Sequence, residues 1–407
     1  MLTRRHVLST LGAVSLAGLA PTRLAWAAAP TDRRFVLIIL RGALDGLAAV
    51  PPYGDPDYRR LRGTIALAEP GQEDGVLDLG GRFGLHPALA PLHPYYQRGE
   101  MLVLHAVSSG YRGRSHFDGQ DVLESGVVTP HGARDGWVNR ALAAMPASGE
   151  VRTGLALGQT IPLALRGAIP VASWAPTDMP EVEPGLMRTI AQMYRGDPLL
   201  GPALDEGLKG QSFADQVMND GDRMTQAPNG PPAPGRQQFR QAAAAAGRLL
   251  AAEGGARVAV LDVGGWDTHA NQGGARGRLA GVLQVLADGV NDLAQGLGPA
   301  WGKTVVLVAT EFGRTVQING TGGTDHGTGA AAFLLGGAVA GGKVLTTWPG
   351  LGAGRLFEDR DLMPTTDLRS VAKAVLIEHL RVPSSSVETK VFPGAGSATP
   401  TRGLLRV

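Results

Sequence analysis

Phe35 to Leu40 is a continuous apolar run with no polar alternation, and it constrains the fold of this 407-residue chain more than any other stretch. A half-exposed strand alternates and a surface helix carries a stripe. An unbroken short run fits a central strand buried on both faces, which calls for helices above and below a mostly parallel sheet. Met101 to Val107, Arg257 to Val263, Thr304 to Thr310 and Ala331 to Leu335 read as further strands. Between them, Arg276 to Leu297 carries Leu279, Val282, Leu283, Leu286, Val290 and Leu293 on one stripe, and Gln237 to Glu253 is an alanine-rich segment of high helix propensity. Pro87 to Gln97 and Asp367 to Leu380 read as two more helices, with a largely irregular tail after Val382. Strand, helix, strand in this order is the alternation of a parallel sheet with right-handed crossovers.

From 126 to 235 the periodicity weakens. Leu155 to Leu165 and Ile169 to Trp174 are short apolar pieces, and Pro184 to Arg195 and Phe213 to Gln226 are helical in pattern. This stretch reads as an inserted cap that shapes a pocket. The expected architecture is one α/β domain over 28–407, a mostly parallel central sheet with helices on both faces and the cap around 126–235.

The N-terminus reads as an address. Thr3-Arg4-Arg5-His6-Val7-Leu8 is a twin-arginine segment, Val7 to Ala20 is apolar, and Ala25-Trp26-Ala27 offers a cleavage site, so residues 1–27 are expected to be a signal peptide. The apolar run is shorter than the roughly 20 residues a bilayer requires, which argues against a permanent membrane anchor. Periplasmic localisation and a passing partnership with the twin-arginine translocase follow as expectations. The formal charge of +2 is too small on a chain this long to imply nucleic acid as a partner. With no cysteine present, disulfides and thiolate chemistry are excluded, and any metal is held by oxygen and nitrogen.

Candidate site residues collect at strand ends, where ligands gather in open α/β sheets. Asp45 follows the first strand in Arg41-Gly42-Ala43-Leu44-Asp45-Gly46-Leu47, where it reads equally as a site residue or as the cap of a turn or helix, and Asp267 and His269 follow the Arg257 strand in Gly264-Gly265-Trp266-Asp267-Thr268-His269. Glu311 and Arg314 follow the Thr304 strand, and a glycine-rich loop then carries Asp325 and His326. Acids and imidazoles of this kind are the donors that hold a divalent ion, Zn, Mn, Mg or Ca, without sulfur. After the Met101 strand comes Arg114-Ser115-His116-Phe117-Asp118, in which Ser115 and Asp118 have the spacing of a helix-start capping box. A helix start behind a strand is also a place where anions bind.

Together these motifs resemble the twin-arginine-exported bacterial family known as domain of unknown function 1501, a remote branch of the alkaline phosphatase and sulfatase superfamily. The resemblance implies an alkaline phosphatase-like α/β fold with metal ligands at strand ends. It implies Asp45 as the first-strand metal aspartate, Ser115 as the nucleophile, and Asp267 and His269 as the middle ligand pair. Glu311 would be the later acid and His326 the last histidine. Two departures stand out. Asp45 lies several residues beyond its strand, and Thr310-Glu311-Phe312-Gly313 replaces the superfamily's Thr-Asp-His-Gly, leaving Phe312 where a histidine ligand stands, unless Asp325-His326 is that pair. The nucleophile pattern of formylglycine sulfatases is absent. In a catalytic site, Arg314 or Arg112 would hold a nonbridging oxygen of a small anionic phosphate or sulfate ester, and the glycines of 320–329 would add backbone donors. The competing expectation is a non-catalytic periplasmic protein of the same fold that binds a ligand or a partner.

Overall fold

The computed structural model describes residues 32–146, 154–176, 184–197, 200–221 and 234–406. The expected signal segment 1–27 lies outside them. The main sheet is built from β1 (Arg34–Arg41), β2 (Met101–Ser108), β3 (Gly154–Leu157), β4 (Ala172–Trp174), β5 (Val258–Gly264), β6 (Thr304–Thr310), β7 (Ala330–Leu335), β8 (Lys343–Leu345) and β9 (Thr366–Asp367). Across the sheet the order is β8-β2-β7-β6-β1-β5-β3-β4, with β9 also paired to β2. β1 is the buried central strand that its apolar run requires, parallel to β5 on one side and β6 on the other.

Period-two alternation along β1 divides the core into two layers. Val36, Ile38 and Leu40 face α6 (Pro234–Ala251) and α7 (Arg278–Leu297), meeting Phe239, Leu250, Leu283 and Leu286. Phe35, Leu37 and Ile39 face the other way, toward Trp137 and Val138 of α3 (Trp137–Ala144) and Leu368 and Val371 of α8 (Leu368–Ala374). All the stripe residues expected on α7 are buried, each leucine contributing roughly 1.5–3 kcal/mol relative to exposure. Other helices include α1 (Gly46–Ala49), α2 (His116–Ser125), α4 (Pro184–Tyr194) and α5 (Leu200–Gly221).

Three expectations change. First, β7 runs antiparallel to both β2 and β6 rather than continuing the parallel series. No helix separates β6 from β7. The connection 311–329 stays at the carboxyl edge instead of crossing back over a face, so the returning strand must run the opposite way. Second, the stretch 126–235 is not all outside the sheet: it supplies α3 to one face and β3 and β4 to the sheet edge, while α4 and α5 form an added layer that reaches α6. Third, the segment after His86 is a 3₁₀ turn over Pro87–Leu92 followed by a short helix, His93–Gln97, because Pro91 and Pro94 interrupt a continuous α pattern.

Because β2 and β6 both run antiparallel to β7, the carboxyl ends of β1, β2, β5 and β6 share one edge. No helix among the described residues is long and apolar enough to cross a membrane.

Candidate metal centre

Each of these strand ends feeds a loop that reaches one point. Behind β1, Gly42 has φ 120°, and a Cβ there would stand 2.8 Å from the backbone nitrogen of Asp267, so only glycine lets the two loops meet. The loop before β7 docks in the same way: a Cβ on Gly323 would lie 2.3 Å from the carbonyl carbon of His269, and Thr324 N donates to Thr268 O at 3.1 Å. Gln272 pins these pieces. Its Oε1 accepts from Thr268 Oγ1 and Thr324 Oγ1, both at 2.8 Å, while its Nε2 donates to Asp45 Oδ2 at 2.7 Å.

His116, Asp267 and His326 present ligand atoms that all lie within 4.8 Å of one another. Asp267 Oδ1 is the hub, 3.5 Å from His116 Nε2, 3.4 Å from His326 Nε2 and 3.1 Å from His269 Nε2. His269 Nε2 lies 3.0 Å from His326 Nε2.

The other nitrogen of each ring fixes the tautomer. His116 Nδ1 donates to Glu311 Oε1 at 2.8 Å, His326 Nδ1 to the carbonyl of Arg114 at 2.7 Å, and His269 Nδ1 to Asp325 Oδ1 at 3.0 Å. All three partners are acceptors only, so each Nδ1 carries a hydrogen and each ring turns its Nε2, the ligand-capable nitrogen, toward Asp267. Three ring nitrogens converging on one carboxylate are an arrangement that a cation would stabilise. His116 Nε2 is moreover buried without a hydrogen-bond partner among the described residues. An ion with tetrahedral bonds of about 2.0–2.1 Å has ligand atoms roughly 3.3–3.4 Å apart, close to the 3.4 and 3.5 Å that separate Asp267 Oδ1 from His326 and His116. The donor set, imidazole nitrogen and carboxylate oxygen without sulfur, suits a borderline divalent ion.

Glu311 and Arg314 shape this centre without joining it. Glu311 is buried; beyond His116 it accepts from Gly42 N at 2.9 Å, Gln120 Nε2 at 3.2 Å and, through Oε2, Thr310 Oγ1 at 2.8 Å. Burial pushes its carboxyl up, but the His116 hydrogen bond and these donors outweigh that and hold it below the usual carboxylate range. The Glu311 hydrogen bond in turn raises His116, against burial. His326 is pushed down, chiefly by burial. The buried Arg314 donates to Ala43 O, Thr324 O and Gly42 O at 2.9, 2.9 and 3.0 Å and to the Asp267 carboxylate. Burial raises Asp267, and the Arg314 hydrogen bond and charge reverse this, keeping it ionised.

Of the residues singled out in the sequence, Asp267, His269 and His326 converge, and Asp325 stands behind His269, held also by Asn319 Nδ2 at 3.1 Å. Glu311 orients His116 and is not positioned as a ligand. Asp45 is elsewhere: it caps α1 through Ala48 N and forms a buried ion pair with Arg62, because Arg62 enters the core beside it. Arg314 has its guanidinium occupied by backbone carbonyls and Asp267, so it positions loops rather than facing an open site. Arg112 donates to Ser108 Oγ at 2.6 Å. Ser115 is the N-cap of α2, its Oγ accepting from Asp118 N at 3.5 Å, one residue before His116. Phe312 is buried and stacks on His116, with centroids 5.1 Å apart, so it forms an apolar wall to the ligand ring. His116, Gln120 and Gln272 were given no role by sequence reasoning. The signal available for His116 was its place at the first turn of a helix directly behind a buried strand.

The sheet and its edge cluster define an α/β protein with a histidine and aspartate group that could hold a metal ion at the carboxyl ends of its strands. The model described as "Protein of unknown function (DUF1501)" matches residues 112–390, more than half of the chain, and the chain belongs to that family. No curated protein matches it. Among solved structures it is similar to Ps i-CgsB in complex with k-i-k-neocarrahexaose, with a TM-score of 0.41, 11% identity and coverage of 91% of this chain and 77% of that one. It is also similar to the alkaline phosphatase from the Antarctic bacterium TAB5, with a TM-score of 0.33, 14% identity and coverage of 74% and 90%. A third is BT1596, a 2-O GAG sulfatase, with a TM-score of 0.29, 13% identity and coverage of 77% and 66%.

Proposed function

We propose that this protein is a metal-dependent hydrolase of phosphate or sulfate esters that acts in the periplasm. The observation that supports it is the convergence of Nε2 atoms on Asp267, with the buried Nε2 of His116, which has no hydrogen-bond partner among the described residues, in the group. His116, Asp267 and His326, with His269 at the rim, would hold a divalent ion, which would supply Lewis acidity toward a phosphoryl or sulfuryl oxygen. The chain's own residues hold the rest in place. Glu311 and the Arg114 carbonyl keep the tautomers, and Arg314 keeps Asp267 charged. Ser115, at the start of α2 beside His116, offers the hydroxyl for attack.

A second reading, a protein that binds a ligand without chemistry, is favoured by one observation. The donors of Arg314 meet backbone carbonyls and Asp267, which leaves no buried guanidinium for the transferred group. Turnover separates the two. Ion-loaded protein is expected to cleave at least one of an aryl phosphate, a phosphodiester and an aryl sulfate, and Ser115→Ala to lose that activity with the ion retained. As a cap alone, Ser115→Ala costs about 0.5–2 kcal/mol of stability, so only activity decides. An ion-loaded wild type inert toward all three leaves the binding reading; activity surviving in Ser115→Ala removes Ser115 as nucleophile.

Export by the twin-arginine translocase is proposed from Arg4, Arg5 and Ala25-Trp26-Ala27. Changing both arginines to lysine is expected to leave unprocessed precursor in the cytoplasm, and normal periplasmic processing of that variant would refute it.

A further inference from the structure

At the same carboxyl edge, where β3 and β5 end, lies a second recess, a cavity of about 620 Å³. That volume is within the roughly 300–1,000 Å³ of pockets for small organic ligands. Leu157, Phe239, Val263 and Val282 supply its apolar lining, and its charged lining is Arg236, Arg278 and Asp262, the last already paired with Arg41.

The two arginines are placed against local electrostatics. Arg236 is in the first turn of α6 and Arg278 is the first residue of α7, and a helix start carries partial positive charge that favours acids. The Gly277 that caps α7 offers no side chain to its first turn. Arg41, Arg62, Arg114, Arg140 and Arg240 each meet a carboxylate. Neither Arg236 nor Arg278 meets one, or any other partner, among the described residues. Two cations without a carboxylate partner among the described residues, at two helix starts beside an apolar lining, leave their donors open to an anionic group.

We propose that this recess binds an amphipathic organic anion, its apolar body on the Phe239 and Val282 lining and its anionic head between Arg236 and Arg278. The site is separate from the cation centre and does not depend on hydrolysis. Neutral molecules of the same shape lack the charge-assisted hydrogen bonds, and a bare inorganic anion makes no use of the apolar lining.

Calorimetric titration with naphthalene-2-sulfonate tests this, with 2-naphthol and inorganic sulfate as the two half-probes. Naphthalene-2-sulfonate is expected to bind once per chain and at least about tenfold more tightly than either half-probe, as the loss of one charged hydrogen bond implies. The double variant Arg236→Gln/Arg278→Gln is expected to lose that advantage without a lower melting temperature, since both side chains are exposed and make no ion pair or hydrogen bond among the described residues. His116→Ala is expected to bind the probe as the wild type does. The proposal is overturned if the wild type does not bind the sulfonate, if the double variant binds it equally well, or if His116→Ala abolishes binding and so assigns the probe to the cation centre.

Discussion

Replacing Asp45 by alanine is expected to destabilise the protein by about 3–5 kcal/mol and to leave its bound ion in place. Asp45 and Arg62 are both buried, paired with each other, and Arg62 is otherwise met only by the carbonyls of Thr315 and Val316, with its Nε unpartnered. Without the carboxylate, a guanidinium stays in the core uncompensated, α1 loses the cap at Ala48 N, and Gln272 loses the partner that orders it between the two ligand loops. Asp45→Asn keeps an acceptor and is expected to cost less. A urea transition measured beside ion content checks the pair of outcomes. A mild loss of stability with a lost ion would make Asp45 a ligand after all.

Stability of the ion-free protein is expected to fall steeply between pH 6.5 and 4. His86, His105 and His379 are buried, and burial pushes each down to about 4. Each donates from Nε2 to a carbonyl, of Gly274, Val50 and Arg34 respectively, and the Nδ1 atoms of His86 and His105 accept from Ala88 N and Ala106 N, so protonation breaks a bond as well as charging the core. With folded values below the unfolded one, the unfolded chain binds the extra protons. The contribution is complete above pH 6.5, declines as pH falls, and stops changing below about 4. Three such groups give a slope on the order of 4 kcal/mol per pH unit within that window. His116, raised, and His326, lowered, act in opposite directions and offset one another. Urea midpoints at pH 7, 6 and 5 measure this. A change below about 1 kcal/mol over that range would show that these rings are protonated in the folded state at little cost.

The fold was readable in the sequence where burial alone decides conformation. The β1 run and the α7 stripe are statements about which faces meet water, and both survive intact. The direction of β7 was not readable, because a strand pattern has no sense of direction and the loop 311–329 resembles a crossover until its path is known. The centre divides in the same way. Asp267 and His326 sit directly in loops behind or before strands, so position exposed them. The role of His116 depends on Glu311, 195 residues away, and the role of Asp45 on Arg62, whose approach no local pattern states. Glu311 looked like a ligand because an acid at a strand end usually faces outward; four donors turn its carboxylate inward here.

The proposed cation centre is tested most directly by the ion content and affinity of natively produced protein purified without a chelating step, compared with His116→Ala and Glu311→Gln. Roughly one divalent ion per chain is expected in the wild type, with a melting temperature that falls on its removal because binding adds to folding free energy. Glu311→Gln, which leaves the ligand atoms in place and alters the group behind His116 together with its contacts to Gly42, Gln120 and Thr310, is expected to weaken the ion by about 10–100-fold, and His116→Ala by more. A wild type that holds no stoichiometric ion, and whose melting temperature stays the same when Zn, Mn, Mg or Ca is added, would contradict a metal centre at Asp267.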